Sequence, residues 1–166
     1  MKNFHKKHLQ MVYKHLFKVK LNWFLAQKKE LHSSNFFLKN YSVAVTGKDV
    51  LQLSAAKAFK GDPALYNPED LLLASVVSCH MMSYLYVCSQ NGVEVLSYTD
   101  SAEATLEVTE TGSGRFVEVR LFPKVVINSK EKIELALSLH KKANELCFIA
   151  NSCNFTIKHF VSCEAE

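Results

Sequence analysis

Residues 66–83 read YNPEDLLLASVVSCHMMS, and the fold turns on this stretch. Asn67 is a good N-cap, Pro68 suits the first helical position, and Glu69 and Asp70 suit the positive end of a helix dipole. The pattern runs on to Asn91-Gly92, a helix stop. Some 23 residues at 1.5 Å each predict a helix roughly 35 Å long. Leu71, Leu72, Leu73, Val76, Val77, Met81, Met82, Leu85 and Val87 cover nearly its whole circumference. A helix apolar all round needs cover on every side. One sheet of a chain this size covers one side, so a second layer is expected, supplied by a partner subunit. Within this helix stands a thiol, Cys79, beside His80.

Strands and turns flank the helix. Before it, "FKVKLNW" (17–23) alternates apolar and polar residues like a half-buried strand near an edge. "YSVAVT" (41–46), a Gly47 turn and "VLQLS" predict a hairpin, and "AFKGDPALYNP" a loop. After it, "SAEATLEV" (101–108), a "TGSG" turn and "RFVEVRLFPKVVI" predict a second antiparallel pair. Asn128 and Glu131 resemble a capping box, opening a helix with the stripe Ile133, Ala136, Leu137, His140, Asn144 and Cys147. "NFTIKHFVS" closes as a strand. The order is β-β-β-α-β-β-α-β, an α+β pattern without internal repeats.

Composition narrows the function classes. A chain of 166 residues with 48% apolar content is expected to form one soluble domain. Residues 1–30 carry eight Lys and one Glu, whereas the rest carries twelve Lys/Arg against fifteen Asp/Glu. The basic excess is therefore a solvated N-terminal extension (1–14) ahead of a domain at 15–166. No basic stripe with a reading element suggests nucleic acid. Lysines interrupt the start too often for a secretory signal. Ser75, Ser78, His80 and Ser83 break the apolar helix below a membrane span, so no membrane partner is expected.

Five cysteines (79, 88, 147, 153 and 163) are an odd count, widely spaced. That argues for a reducing, cytoplasmic compartment with free or working thiols. Any one of them, taken alone, is better explained by packing. His80 lies about 100° round the helix from Cys79, so it does not activate that thiol directly. His140 reads as a satisfied, half-buried residue. The C-x5-C-x5-H-x3-C spacing of Cys147, Cys153, His159 and Cys163 lacks the tight knuckle of structural zinc. Neither metal nor cofactor is expected.

Two segments carry more than composition does. "FKGDPALYNPEDLLLASVVSCHMMSYLYVC" and "LHKKANELCFIANSCNF" together resemble the OsmC/Ohr family of thiol peroxidases, through its Asn-Pro-Glu-x-Leu-Leu…Ser-Cys-His helix and its Leu-His-x-x-Ala-x-x-x-Cys segment. The resemblance covers the chain from about residue 15 onward. It implies an intertwined homodimer, two long central helices wrapped by antiparallel sheets. It also implies reduction of organic hydroperoxides, or of hydrogen peroxide in some members. Carried over by motif, Cys79 is the attacking thiol, Cys147 the resolving one and Glu69 the family glutamate. An external dithiol would be the reductant, with a lipoyl-type dithiol one candidate. The family arginine that pairs with the glutamate has no visible counterpart: Arg115 and Arg120 both follow the long helix. Lys60, in "FKGD", is the candidate cationic stand-in. Asn144 also departs from relatives, which often carry His. The competing expectation is a non-catalytic dimer of this family that binds a small apolar ligand or senses redox state.

Glu69 and Cys79 on one helix would be about 15 Å apart. They can act together only if Glu69 serves the other subunit's Cys79, the expected arrangement, or if the helix breaks between them.

Overall fold

The computed structural model describes residues 14–24 and 39–166, so residues 1–13 of the basic extension lie outside the described residues. The chain divides into two compact units, one ending at Leu65 and the other spanning Tyr66–Glu166.

In the first unit β1 (Lys20–Asn22), β2 (Tyr41–Ala44) and β3 (Leu51–Leu53) form an antiparallel meander in that order. The β2–β3 turn uses Gly47 at a φ of 79°, open to glycine without strain. The apolar side of the 17–23 segment is uncovered within this unit: Phe17 is 90% and Val19 65% exposed. A short 3-10 turn, Lys57–Phe59, ends at Lys60, whose φ of 61° is left-handed. Gly61 is obligatory there, because a Cβ would lie 1.7 Å from the Ala55 carbonyl oxygen.

The second unit begins with the long helix, α1 (Pro68–Gln90). The Asn67 side chain accepts from the Asp70 N–H at 2.9 Å, and the Asp70 carboxylate answers the Asn67 N–H at 3.3 Å. This closes a capping box around the N-cap that the sequence reading placed at Asn67, the reciprocal Asp70 bond being an addition of the structure. Asn67→Ala is expected to cost about 1 kcal/mol of stability, measurable as a lowered urea midpoint at unchanged slope.

Four strands follow: β4 (Val95–Thr99), β5 (Glu103–Val108), β6 (Gly114–Leu121) and β7 (Lys124–Ile127). β5 pairs antiparallel with β6, and β4 with β7. The sequence predicted no separate β4, and it treated 115–127 as one strand. The break at Phe122-Pro123 has a physical cause, since proline brings no N–H to a ladder. There Asp100, in the opposite break, accepts the Phe122 N–H at 2.8 Å.

The C-terminal residues split in the same way into β8 (Thr156–His159) and β9 (Ser162–Ala165). They run parallel to β6 and β7 in one constant register, with Phe122 and Phe160 stacked 5.1 Å apart at the break. The sheets β5-β6-β8 and β4-β7-β9 are thus one three-stranded ladder bent across its middle. They are mixed rather than purely antiparallel.

Between β7 and β8 lie a 3-10 turn (Lys130–Lys132), α2 (Ile133–Leu146) and α3 (Phe148–Asn151). The capping box expected at Asn128 does not form. Asn128 is still held by the strands, its N–H donating to the Glu94 carbonyl at 3.2 Å and its amide to the Glu94 carboxylate. Helix α2 starts at Ile133 without a side-chain cap. Ala136, Leu139, His140 and Ala143 are its buried face. Of these, Ala136, Leu139 and Ala143 pack with Tyr84, Val87, Cys88, Val93, Val125 and Ile127 in the main core. Each large aliphatic buried there contributes roughly 1.5–3 kcal/mol.

Helix α1 buries Val76, His80, Tyr84, Val87 and Cys88, while Met82 (62%) and Tyr86 (60%) stay exposed on another side. The unit covers one side of the helix and leaves another apolar side open. Among the described residues α1 is also the one helix long and apolar enough, by length and composition, to cross a membrane. The Tyr84 hydroxyl, donating to the Ala136 carbonyl at 3.1 Å, ties it to α2.

Candidate thiol site

The side of α1 that carries Cys79 also presents Met82, Ser83 and Tyr86. With Leu146 and Phe148 from the α2–α3 junction they line a largely apolar cavity of about 450 Å³. Cys79 is partly exposed, whereas Cys147 is fully buried. A reagent entering the cavity therefore meets Cys79 first.

Local backbone geometry creates this arrangement. The helix stops at Cys147, which takes an extended conformation (φ −72°, ψ 109°), and α3 starts immediately after it. The restart turns two free N–H groups toward sulfur. Ile149 N–H donates to Cys79 Sγ at 3.5 Å, and Ala150 N–H to Cys147 Sγ at 3.4 Å. Burial pushes the Cys147 thiol up to about 11; the neighbouring Cys79 thiol adds to the rise, against a pull from the Ala150 and Ile149 N–H groups. Cys147 therefore waits as a protonated thiol beside Cys79. The sequence placed the two cysteines on separate helices, and the fold makes them neighbours.

Glu69 stands elsewhere. Helix α1 is continuous from Pro68 to Gln90, so ten residues of unbroken helix, about 15 Å, separate Glu69 from Cys79. The alternative of a broken helix is thereby removed. Glu69 Oε2 is a buried atom with no hydrogen-bond partner among the described residues. Arg120 is engaged on the strands, 2.7 Å from Glu103 and 3.6 Å from Glu118. Lys60 belongs to the first unit, at its left-handed position.

The other thiols are packing groups. Cys88 is fully buried in the main core, which Cys163 flanks, and Cys153 packs against Val76, Val119 and Leu121. Burial raises the pKa of all three. Among the described residues no group of three or more His, Cys, Asp or Glu is placed to hold a metal ion.

One polar cluster escaped the sequence reading. His80 turns away from Cys79, as helical geometry requires, and its Nε2 meets His140 Nδ1 at 3.1 Å. His159 lies over His80 with ring centroids 4.4 Å apart, and Tyr84 stacks on His140 at 3.8 Å. The sequence reading expected His140 to be satisfied and half-buried, yet it is buried, with one ring nitrogen unpartnered among the described residues. The available signal was a histidine at a core position on each of two helices and one strand.

Comparison with known proteins agrees with this architecture. The family model described as OsmC-like protein matches residues 61–161. An uncharacterized protein of Bacillus subtilis, YmaD, is 24% identical over 110 residues, covering 64% of this chain and 73% of that protein. Among solved structures, an OsmC-like protein of unknown function from Vibrio cholerae has a TM-score of 0.80 at 25% identity, covering 90% of this chain and 100% of that one. An organic hydroperoxide resistance protein from Elizabethkingia anophelis has a TM-score of 0.68 at 18% identity, covering 94% and 100%.

Proposed function

The chain belongs to the OsmC-like protein family, and on that premise we propose that it is a thiol peroxidase reducing organic hydroperoxides in oxidative-stress defence. One observation carries the reading: a partly exposed thiol in an apolar cavity is backed by a buried thiol. The name of the Elizabethkingia neighbour supports the same substrate class, with hydrogen peroxide kept as a second, smaller candidate.

The Cys79 thiolate attacks the terminal oxygen of ROOH. A sulfur–oxygen bond forms, the O–O bond breaks, and the alkoxide takes a proton to leave as ROH. Cys79 becomes a sulfenic acid, oxidised by two electrons. Cys147 condenses with it, forming the disulfide and releasing water. An external dithiol, of lipoyl type or otherwise, restores both thiols by exchange and leaves as its own disulfide. The Ile149 N–H stabilises charge on the Cys79 sulfur, a task a cation would share. The apolar wall of Met82, Tyr86, Leu146 and Phe148 suits a greasy R group.

The open side of α1 supports a homodimer in which long central helices cover each other. In that assembly Glu69 serves the partner's Cys79, and Lys60 stands in for the family arginine. The thiol economy supports a cytoplasmic setting. Lys60→Ala is expected to lower kcat/KM about tenfold, the scale of one charge-assisted hydrogen bond, and Lys60→Arg to match or exceed the wild type.

The deciding experiment counts thiols anaerobically before and after one equivalent of tert-butyl hydroperoxide. Loss of two thiols that requires both Cys79 and Cys147 supports the enzyme. No loss, or a loss indifferent to Cys79, leaves the competing reading: a non-catalytic dimer that binds an apolar ligand or senses redox state. The position of both arginines on β6 favours that competitor.

A further inference from the structure

At the Cys147 break two hydrogen bonds have changed partners. In an unbroken α-helix the Ile149 N–H would donate to the Glu145 carbonyl and the Ala150 N–H to the Leu146 carbonyl, four residues back. Because Cys147 is extended (φ −72°, ψ 109°), both N–H groups turn away from the helix. They donate to sulfur instead, Ile149 to Cys79 at 3.5 Å and Ala150 to Cys147 at 3.4 Å. The Cys147 N–H closes the last turn of α2 on the Asn144 carbonyl at 3.2 Å. The Glu145 carbonyl, left behind, is an acceptor that would draw the Ile149 N–H back into helix. Asn151 removes that pull. Its side-chain amide donates to the Glu145 carbonyl at 3.0 Å, from six residues further along the chain. Its backbone N–H donates to the Cys147 carbonyl, also at 3.0 Å. One residue thus grips the chain on both sides of the break.

We propose that Asn151 is a positioning residue for the thiol pair: its amide takes the place of the Ile149 N–H at the Glu145 carbonyl and leaves that N–H for the Cys79 sulfur. The role deepens the peroxidase reading and rests on that reading for its purpose. A carbonyl only accepts, so whatever fills the vacated place must donate. The asparagine NH2 donates without adding a charge; leucine, of similar size, donates nothing. The consequence falls on Cys79. A hydrogen bond to an ionised group is stronger than one to a neutral group, so the Ile149 N–H gains most when that sulfur carries charge. Without the Asn151 donor, the Glu145 carbonyl competes for the Ile149 N–H and the sulfur loses it.

Ser152 supplies the contrast within the same turn. Its hydroxyl donates to the Phe148 carbonyl at 2.8 Å. That bond lies inside α3 and does not reach α2, so it steadies the turn without choosing a partner for Ile149.

The test reads the thiol itself and is independent of peroxide turnover. Alkylation of Cys79 by iodoacetamide at neutral pH is followed by mass spectrometry of its peptide, in full-length wild type, Asn151→Leu and Ser152→Ala. Asn151→Leu should slow the reaction about threefold, because roughly tenfold less thiolate is partly offset by the greater nucleophilicity of a more basic sulfur. Ser152→Ala should keep the wild-type rate even where it lowers the melting temperature as much. The Ile149 amide gives a second readout. In ¹H–¹⁵N spectra of the wild type its resonance should move with pH in step with the ionisation of Cys79, and in Asn151→Leu it should not follow. Asn151→Leu alkylated at the wild-type rate overturns the proposal, as does equal slowing in Ser152→Ala. An Ile149 resonance that follows Cys79 in both proteins overturns it too. Should these thiol readouts come out as expected while the wild type consumes no hydroperoxide, the positioning role stands and the peroxidase reading alone falls.

Discussion

Cys79→Ser is expected to lower hydroperoxide turnover by at least about a thousandfold, the scale on which loss of a nucleophile acts. The serine hydroxyl stays protonated, and oxygen does not reduce a peroxide as sulfur does. Cys147→Ser should behave differently. Its Cys79 still reacts once, with the sulfenic acid trapped by dimedone and confirmed by mass, but steady-state consumption stops for want of a partner thiol. The contrast follows from exposure, because Cys147 is fully buried and its pKa is pushed up to about 11. Equal dimedone labelling at Cys147 in Cys79→Ser would reverse the roles assigned to the two thiols.

A second large effect is expected on acidification. His80 and His140 have folded-state pKa values of about 3 and about 4, below the ordinary 6.5. Below pH 6.5 the unfolded chain takes up protons that the folded chain refuses, so stability falls as pH falls. The loss levels off only as the folded rings themselves protonate, near pH 4 for His140 and pH 3 for His80. Each histidine contributes on the order of 1.4 kcal/mol per pH unit. From pH 6.5 to 4.5 the pair should remove about 3–5 kcal/mol, a large share of a typical domain's stability. Asp100, whose carboxyl burial raises, opposes this and reduces the slope. Urea unfolding across this range gives the measurement. His80→Phe with His140→Phe replaces both partners by apolar rings and should flatten the pH dependence; an unchanged slope in that double variant would refute the assignment to these rings.

The sequence made some of this legible, for reasons visible in particular residues. The Asn67-Pro68-Glu69-Asp70 start and the Asn91-Gly92 stop fixed α1, because capping is local chemistry. The motif around Cys79 and Cys147 singled out two thiols that the fold brings together, and their proximity depends on how α2 halts at Cys147. The separate β4 and the twin breaks at Phe122-Pro123 and Phe160-Val161 were missed, because bending a ladder leaves the alternation of side chains intact on both sides. Asn128 looked like a cap and serves as the end of a strand, held by Glu94 from 34 residues away. The histidine cluster could not be read from spacing either: its members come from α1, α2 and β8, and only packing brings them together.

The bent ladder has a consequence for the order of folding. Thr156 pairs with Glu118 and Ser162 with Lys124, a constant separation of 38 residues along the whole parallel register. Parallel strands cannot zip from a tight turn, so this third strand docks only after α2 and α3 have swung the chain back across the sheet. During synthesis the hairpin of residues 95–127 can form early. It waits with one edge uncovered until residues 156–165 have left the ribosome. Contacts this distant place refolding toward the millisecond-to-second range rather than with fast helical bundles, and they make the waiting edges of β6 and β7 the point where a nascent chain is most open to pairing with a neighbour.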